Sequence, residues 1–453
     1  MKQDFSNTRV VVIGAGLSGQ ALVRFLAERG AMVALSDQRR HDQLAGLETL
    51  QDLPVRLDLG GHDLSLFEQA DLVAVSPGVP LTCPPLQRAA SCNIPLLGEV
   101  EIAAREIDVP IIGVTGTNGK STTTSLLGEI MQAWGQRTFV GGNLGTPLVQ
   151  ACRDDYDRVV VELSSFQLET IDHFHPAIGL LLNLSPDHLD RYADLESYYR
   201  AKLRLFKNMT VADFAVLNAD DPEVCRLAED IAATKVWFSA RGRMVDGMVR
   251  LGERLVWNWQ GASVELPLQP LQLSGEHNIE NAMAAMVAAL LQGCPAEVAW
   301  QAVCAFPGLE HRMQLVRTLN GVRWINDSKG TNVGSVVKSL AGLQPGATLI
   351  AGGKDKGGSY APLRPLLEAK IKHLILIGEA ARKMAEELVG TCTIRMAADL
   401  PTAVRMAHVL TEPGHEVLLS PACSSYDMFH SYEERGHEFA RLVCQLPETE
   451  AFS

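Results

Sequence analysis

Residues 110–131 read PIIGVTGTNGKSTTTSLLGEIM, and the change of character along this stretch decides how the chain folds. An apolar, β-branched run passes through two glycines and a lysine into helical spacing. A strand that ends in a glycine turn and feeds a helix is the repeating unit of a parallel sheet covered by helices. The turn also carries chemistry. Glycines let backbone N–H groups face phosphate oxygens, the next helix presents its positive end, Lys120 supplies a point charge, and Ser121 can hold Mg2+. The strict G-x-x-x-x-G-K-[ST] spacing would need glycine at 114; the chain has Val114 there and matches only G-x-x-G-K-S.

A second glycine loop lies upstream, in RVVVIGAGLSGQALVRFLAERGAMVALSD (9–37). Gly14, Gly16 and Gly19 fall at G-x-G-x-x-G spacing, and Asp37 closes the following strand where dinucleotide-binding folds place a carboxylate on ribose. Read alone, it suggests an NAD-dependent oxidoreductase. The same geometry serves any diphosphate, because nothing in the spacing requires nicotinamide. Further strands run into glycine at PVRLDLG, DLVAVSPG, IPLLGE, ATLIAGG and HLILIGE, and others end at DRVVVELSS, AIGLLLNLS, GVRWINDS and EVLLSPA. The expected fold is α/β in three domains. Residues 1–98 form a Rossmann-like domain, 99–308 a central P-loop-type ATPase domain with a mostly parallel sheet, and 309–453 a second Rossmann-like domain.

A length of 453 residues is consistent with three domains. With 40 basic and 53 acidic residues the formal charge is −13, which argues against binding to nucleic acid or an anionic membrane surface. The nine cysteines are scattered without a C-x-x-C pair, so reduced thiols in a cytoplasm fit best. The start, MKQDFSNT, has no signal pattern, and AMAAMVAALL is too short to span a bilayer.

TGTNGKST is joined, in order, by VELSSFQLE, NLSPDHLDR, YYRAKLRLF, SGEHNIENAMAA, HRMQ, NDSKGTN and SPACSSYD. Over essentially its whole length the chain resembles the Mur ligase family, which makes amide bonds in peptidoglycan precursor assembly and counts the folylpolyglutamate synthases as cousins. GAGLSG with SPGV, and DSKGTNVGS with SPACSSYDMF, narrow the resemblance to the members that add D-glutamate to UDP-N-acetylmuramoyl-L-alanine. It implies an ATP-dependent, monomeric, cytoplasmic enzyme that uses two Mg2+ ions. A carboxylate is a poor electrophile, so phosphoryl transfer from ATP would first make an acyl phosphate, whose crowd of oxyanions needs cations nearby.

Each candidate residue also has a plainer local reading. Glu162, at the end of VVVE, suits a second metal carboxylate if its strand neighbours the phosphate loop, or is simply solvated. His188 could be a structural histidine; the resemblance makes it a Mg2+ ligand. Lys202 reads as a solvated helix lysine, whereas the resemblance implies a lysine carbamylated by CO2 into a metal ligand. For ATP, the resemblance implies Gly116, Thr117, Asn118, Gly119, Lys120, Ser121 and Thr122, with Asn278 and Asn281 at the adenine end and Arg312 and Asp327 beyond; Asn278 could equally cap its helix. For the UDP substrate it implies Gly14, Gly16, Leu17, Ser18 and Gly19 at the diphosphate, Asp37 and Arg39 beside uracil, and Asn143. For the amino acid it implies Lys329, Thr331, Lys356, Ser425, Tyr426 and Tyr432, with Lys354 competing with Lys356.

Alternatives stay open. A sibling ligase would add another amino acid, a folylpolyglutamate synthase would lack the N-terminal nucleotide domain, and an oxidoreductase would have no use for Lys120, Glu162, His188 and Lys202 together.

Overall fold

The computed structural model describes residues 4–188, 191–273 and 275–447, and the structural statements that follow concern those residues. Leu189 and Asp190 of NLSPDHLDR, and Ser274 of SGEHNIENAMAA, lie outside them. Three sheets are present. The first is wholly parallel: β1 (Arg9–Ile13), β2 (Met32–Asp37), β3 (Val55–Leu59), β4 (Leu72–Val75) and β5 (Leu96–Gly98), in the order β3-β2-β1-β4-β5. The order reverses between β1 and β4, which opens a crevice at the C-terminal ends of those strands.

The second sheet comprises β6 (Ile111–Thr115), β7 (Thr138–Gly142), β8 (Arg158–Glu162), β9 (Ile178–Leu181), β10 (Phe214–Asn218), β11 (Thr234–Ser239), β12 (Gly247–Leu251), β13 (Arg254–Trp259) and β14 (Ala262–Pro267). Its order is β14-β13-β12-β11-β10-β9-β6-β8-β7, and only β12–β14 pair antiparallel. The third contains β15 (Gln314–Leu319), β16 (Val322–Asn326), β17 (Ala347–Gly352), β18 (Ile371–Ile377), β19 (Thr393–Met396) and β20 (Glu416–Leu419), in the order β15-β16-β20-β17-β18-β19, with only β15 antiparallel. Helices cover both faces of the central parallel strands, so those strands are apolar on both sides. Val159, Val160 and Val161 of β8 are all buried, and each such side chain contributes roughly 1.5–3 kcal/mol.

By compactness the chain divides into two units. The first takes in Met1–Leu184 and Glu196–Phe306, the second Ser185–Leu195 and Pro307–Ser453. The first two sheets therefore share a unit, and buried carboxylates join them. Glu99, just after β5, accepts a hydrogen bond from the Val149 N–H at 2.7 Å, and burial pushes its carboxyl up to about 7. Glu101 is buried too, but the N–H groups of Asp172, His173 and Phe174 together with Arg105 hold it below the usual carboxylate range. Neighbouring carboxyls are thus shifted in opposite directions because one has hydrogen-bond donors in surplus and the other does not. Among the described residues no helix is long and apolar enough to cross a membrane.

Candidate active site

β1 delivers Gly14 to the crevice with φ +93°, and a Cβ added there would lie 2.9 Å from Ser76 Cβ. A Cβ on Gly19 would run into the Gly14 carbonyl oxygen. Two of the three glycines are thus dictated by close packing, whatever binds. Helix Leu17–Ala27 starts immediately afterwards with Gly16 as its cap, so no side chain occupies the first-turn N–H groups and an anion can take them. A cavity of about 700 Å³ opens here, lined among others by Gly14, Leu17, Asp37, Arg39, His62 and Asn143. Ser18 lines it too, whereas Gly19 does not.

Asp37 is spent internally. Its Oδ1 accepts from the Arg39 N–H and Nε, and its Oδ2 from the Ala15 N–H and Arg39 Nη2, all at 2.8–3.0 Å. Burial pushes the Asp37 carboxyl up, yet the bonds from Arg39 and Ala15 outweigh it and hold the pKa at about 2, against 3.8 for the free group. A carboxyl lowered on folding stabilises fully above its unfolded value, and that stability is lost as pH falls through the folded one. We expect Asp37→Asn to lower the unfolding free energy at neutral pH by about 1–2 kcal/mol, half-exposed Arg39 discounting the full shift. The difference from the parent should vanish as pH falls from about 4 towards 2, measured by urea unfolding across that range.

The sequence offered no reason to single out His62. Its Nδ1 lies 2.7 Å from Ser36 Oγ, which donates to Asp58 Oδ2 at 2.7 Å.

The second glycine loop follows β6. Its backbone is braced from β9's exit: Asn183 accepts from the Thr117 and Asn118 N–H groups at 2.9 Å and donates to Asn118 O at 3.0 Å. Gly119 (φ +87°) caps helix Lys120–Ala133, and a Cβ there would collide with Asn281 Oδ1. Asn281 therefore packs against the loop itself, accepting from Thr123 Oγ1 at 3.4 Å and donating to Asn278 Oδ1 at 3.4 Å. Ser121 and Thr122 are buried in the helix's first turn.

Two lysines converge on one carbonyl. Lys120 Nζ donates to Gly116 O at 3.0 Å and to Thr117 O at 2.9 Å, while Lys202 Nζ, from helix Leu195–Leu203 and 2% exposed, donates to the same Gly116 O at 2.9 Å. Nitrogens sharing an oxygen lie within about 6 Å of each other, where each positive charge disfavours the other. Glu162 ends β8, in register with Val114 of β6. It is 2% exposed, its Oε1 accepts from Asn143 Nδ2 at 2.7 Å, and its Oε2 is buried without a hydrogen-bond partner. A desolvated carboxylate oxygen beside a phosphate-type loop fits a hard divalent cation such as Mg2+.

In the second unit His188 (φ +55°) follows Asp187, whose carboxylate receives Asn332 Nδ2 at 3.0 Å and lies 3.9 Å from Lys356 Nζ. Lys354 is exposed and is held through its backbone N–H on Ser424 O. Asp327 is fully enclosed by Ser339, Ser420 and the Met313 N–H, and burial pushes its carboxyl up. Arg312 keeps a buried Nε without a partner. Lys329 Nζ donates to the Tyr432 hydroxyl at 3.0 Å, the Thr331 N–H bonds Lys329 O, and Ser425 is buried. Tyr426, by contrast, is 70% exposed.

Behind these groups sits Arg435, fully buried and ion-paired with no carboxylate. Its guanidinium donates to Ser328 Oγ and O at 3.0 and 2.8 Å and reaches the Cys423 and Ser424 carbonyls at 3.4 Å. Burial lowers its pKa to about 10. It ties the loop carrying Lys329 to the loop carrying Ser425, and in the sequence it looks like one more helix arginine.

Among the described residues one group of three metal-ligand side chains is present, Glu310, His311 and His437. Asn326 donates to His311 Nδ1 (2.9 Å) and Gly436 O while accepting from the Ser328 N–H, which fixes its amide. His311 Nε2 therefore carries the proton, and the geometry argues against a metal there.

Family models match most of the chain: a Mur ligase MurD-like N-terminal domain over residues 8–98, a Mur ligase middle domain over 114–289 and a Mur ligase glutamate ligase domain over 311–423. The UDP-N-acetylmuramoylalanine–D-glutamate ligase of Syntrophotalea carbinolica is 55% identical, with 98% of this chain and 99% of that one covered. The enzyme of the same name from Geotalea uraniireducens is 49% identical over 98% of each. Among solved structures, a pseudomurein peptide ligase type C from Methanothermus fervidus shares the fold, with a TM-score of 0.63 at 20% identity, covering 97% of this chain and 100% of that one.

Proposed function

The chain belongs to the Mur ligase family, and from that premise we propose that it joins D-glutamate to UDP-N-acetylmuramoyl-L-alanine in peptidoglycan precursor synthesis. It is an ATP-dependent ligase that forms an amide bond. One observation carries the chemistry: two lysines and a buried carboxylate with an unpartnered oxygen surround a glycine loop at the end of β6. Relatives of 46–55% identity along nearly the full chain carry the substrate assignment.

The alanyl carboxylate attacks the γ-phosphorus of ATP, releasing ADP and leaving an acyl phosphate. The D-glutamate amine adds to that carbonyl, and the tetrahedral intermediate expels phosphate to leave the amide. Gly116 to Thr122 cradle the ATP phosphates, with Lys120 offsetting their charge. Asn278, Asn281, Arg312 and Asp327 serve ATP, Asp327 by holding its surroundings. Ser121, Glu162, His188 and carbamylated Lys202 would hold two Mg2+ ions, which when bound screen charge on the transferring phosphoryl group. Gly14 to Gly19 take the diphosphate of the UDP substrate, with Asp37, Arg39 and Asn143 around the same cavity. Lys329, Thr331, Lys356, Ser425, Tyr426 and Tyr432 receive the amino acid; of the two lysines we favour Lys356, which already meets a carboxylate, Asp187. The functional division is 1–98, 99–308 and 309–453, and the setting is the cytoplasm.

The test is phosphate release with ATP and Mg2+. We expect turnover only when both UDP-N-acetylmuramoyl-L-alanine and D-glutamate are present, with L-glutamate or meso-diaminopimelate at least about 100-fold worse. Release that ignores the amino acid supplied would remove this reading.

A further inference from the structure

We propose that His62 reads the base of the bound nucleotide, offering a fixed hydrogen-bond acceptor to the imide N–H of uracil. The inference rests on the UDP-substrate reading of the cavity at β1 and deepens it. A serine hydroxyl has one proton. Ser36 Oγ lies 2.7 Å from Asp58 Oδ2 and 2.7 Å from His62 Nδ1. A carboxylate can only accept, so the proton goes to Asp58 and Ser36 must accept from Nδ1–H. The neutral ring then carries its lone pair on Nε2.

The arrangement is anchored on both sides. Asp58 Oδ2 is held by the Asp63 N–H at 3.0 Å, and buried Phe67 meets the imidazole edge-to-face with centroids 6.0 Å apart. His62 lines the cavity, and with Nδ1 engaged behind it, Nε2 is the polar atom it offers. Asp37, Gln38 and Arg39, which line the same cavity, do not offer the same fixed acceptor. Asp37 has its four lone-pair directions filled by Ala15 and Arg39, the Arg39 guanidinium only donates, and exposed Gln38 can turn either end of its amide inward. At ring position 3 uracil donates and cytosine accepts. A locked lone pair therefore attracts one base and repels the other. Ser36 and Asp58 are positioning residues that fix the tautomer; His62 determines specificity.

The experiment is calorimetric titration of the full-length protein with UDP and with CDP. The parent should bind UDP at least about 30-fold more tightly than CDP, and His62→Ala should lose about tenfold in UDP affinity while the preference shrinks to within about threefold. A folded His62→Ala protein that keeps the parent's preference overturns the proposal, as does a parent that binds both nucleotides equally. A parent that binds neither nucleotide overturns the substrate reading itself. The tautomer can be checked without relying on the variant's folding. In 15N-histidine-labelled parent, His62 should show a protonated Nδ1 and an unprotonated Nε2, and the opposite pattern would overturn the assignment.

Discussion

Lys120→Ala is expected to reduce phosphate release by roughly 10³-fold while leaving affinity for UDP-N-acetylmuramoyl-L-alanine within about twofold of the parent. The two anion sites stand on separate sheets, one after β1 and the other after β6, so losing charge at the second does not disturb the first. Melting temperature should change little, because loss of the bonds to Gly116 O and Thr117 O is offset by relief of repulsion between two neighbouring ammonium groups. Rapid-quench assays, substrate titration and calorimetry of the same preparation separate these effects. Equal loss of turnover and UDP-substrate affinity in a folded variant would contradict the layout.

Lys202→Arg is expected to be at least as damaging, again by about 10³-fold, although it conserves charge. Carbamylation joins a neutral amine to CO2 through a new N–C bond and releases a proton, turning a cation into an anion. The position is compatible with it: Lys202 is 2% exposed, and its Nζ shares the Gly116 carbonyl with Lys120 beside the glycine loop. In 13C-bicarbonate the parent should show a carbamate resonance that Lys202→Arg lacks, and CO2-free buffer should depress parental activity reversibly. Full activity with an unmodified lysine mass would end the idea.

The parallel strands and both glycine loops were legible in the sequence because they are local. An apolar run, a glycine turn and a helix occupy about 20 consecutive residues, and close packing at Gly14 and Gly19 enforces the spacing. The edge strands were not. β12–β14 pair antiparallel beyond the parallel core, and β15 and β19 carry partly exposed, mixed sequences without the apolar signature of a covered strand. Among site residues, those within a motif could be named, but their partners could not. Asn183 braces a loop 65 residues upstream, Asn143 reaches Glu162 on the neighbouring strand, and His62 owes its role to Ser36 and Asp58. Asp37 shows the same. Its motif position gave no sign that in the fold its carboxylate oxygens also hold the Ala15 N–H and Arg39.

Arg435 sets a rule for anyone wishing to re-engineer this ligase. Because one guanidinium is hydrogen-bonded to carbonyls of both segments, neither the 328–331 turn nor the 423–425 turn is an independent cassette. Grafting either from a sibling with a different amino-acid preference would strand an uncompensated charge in the interior. A successful transplant must move both turns together with their arginine.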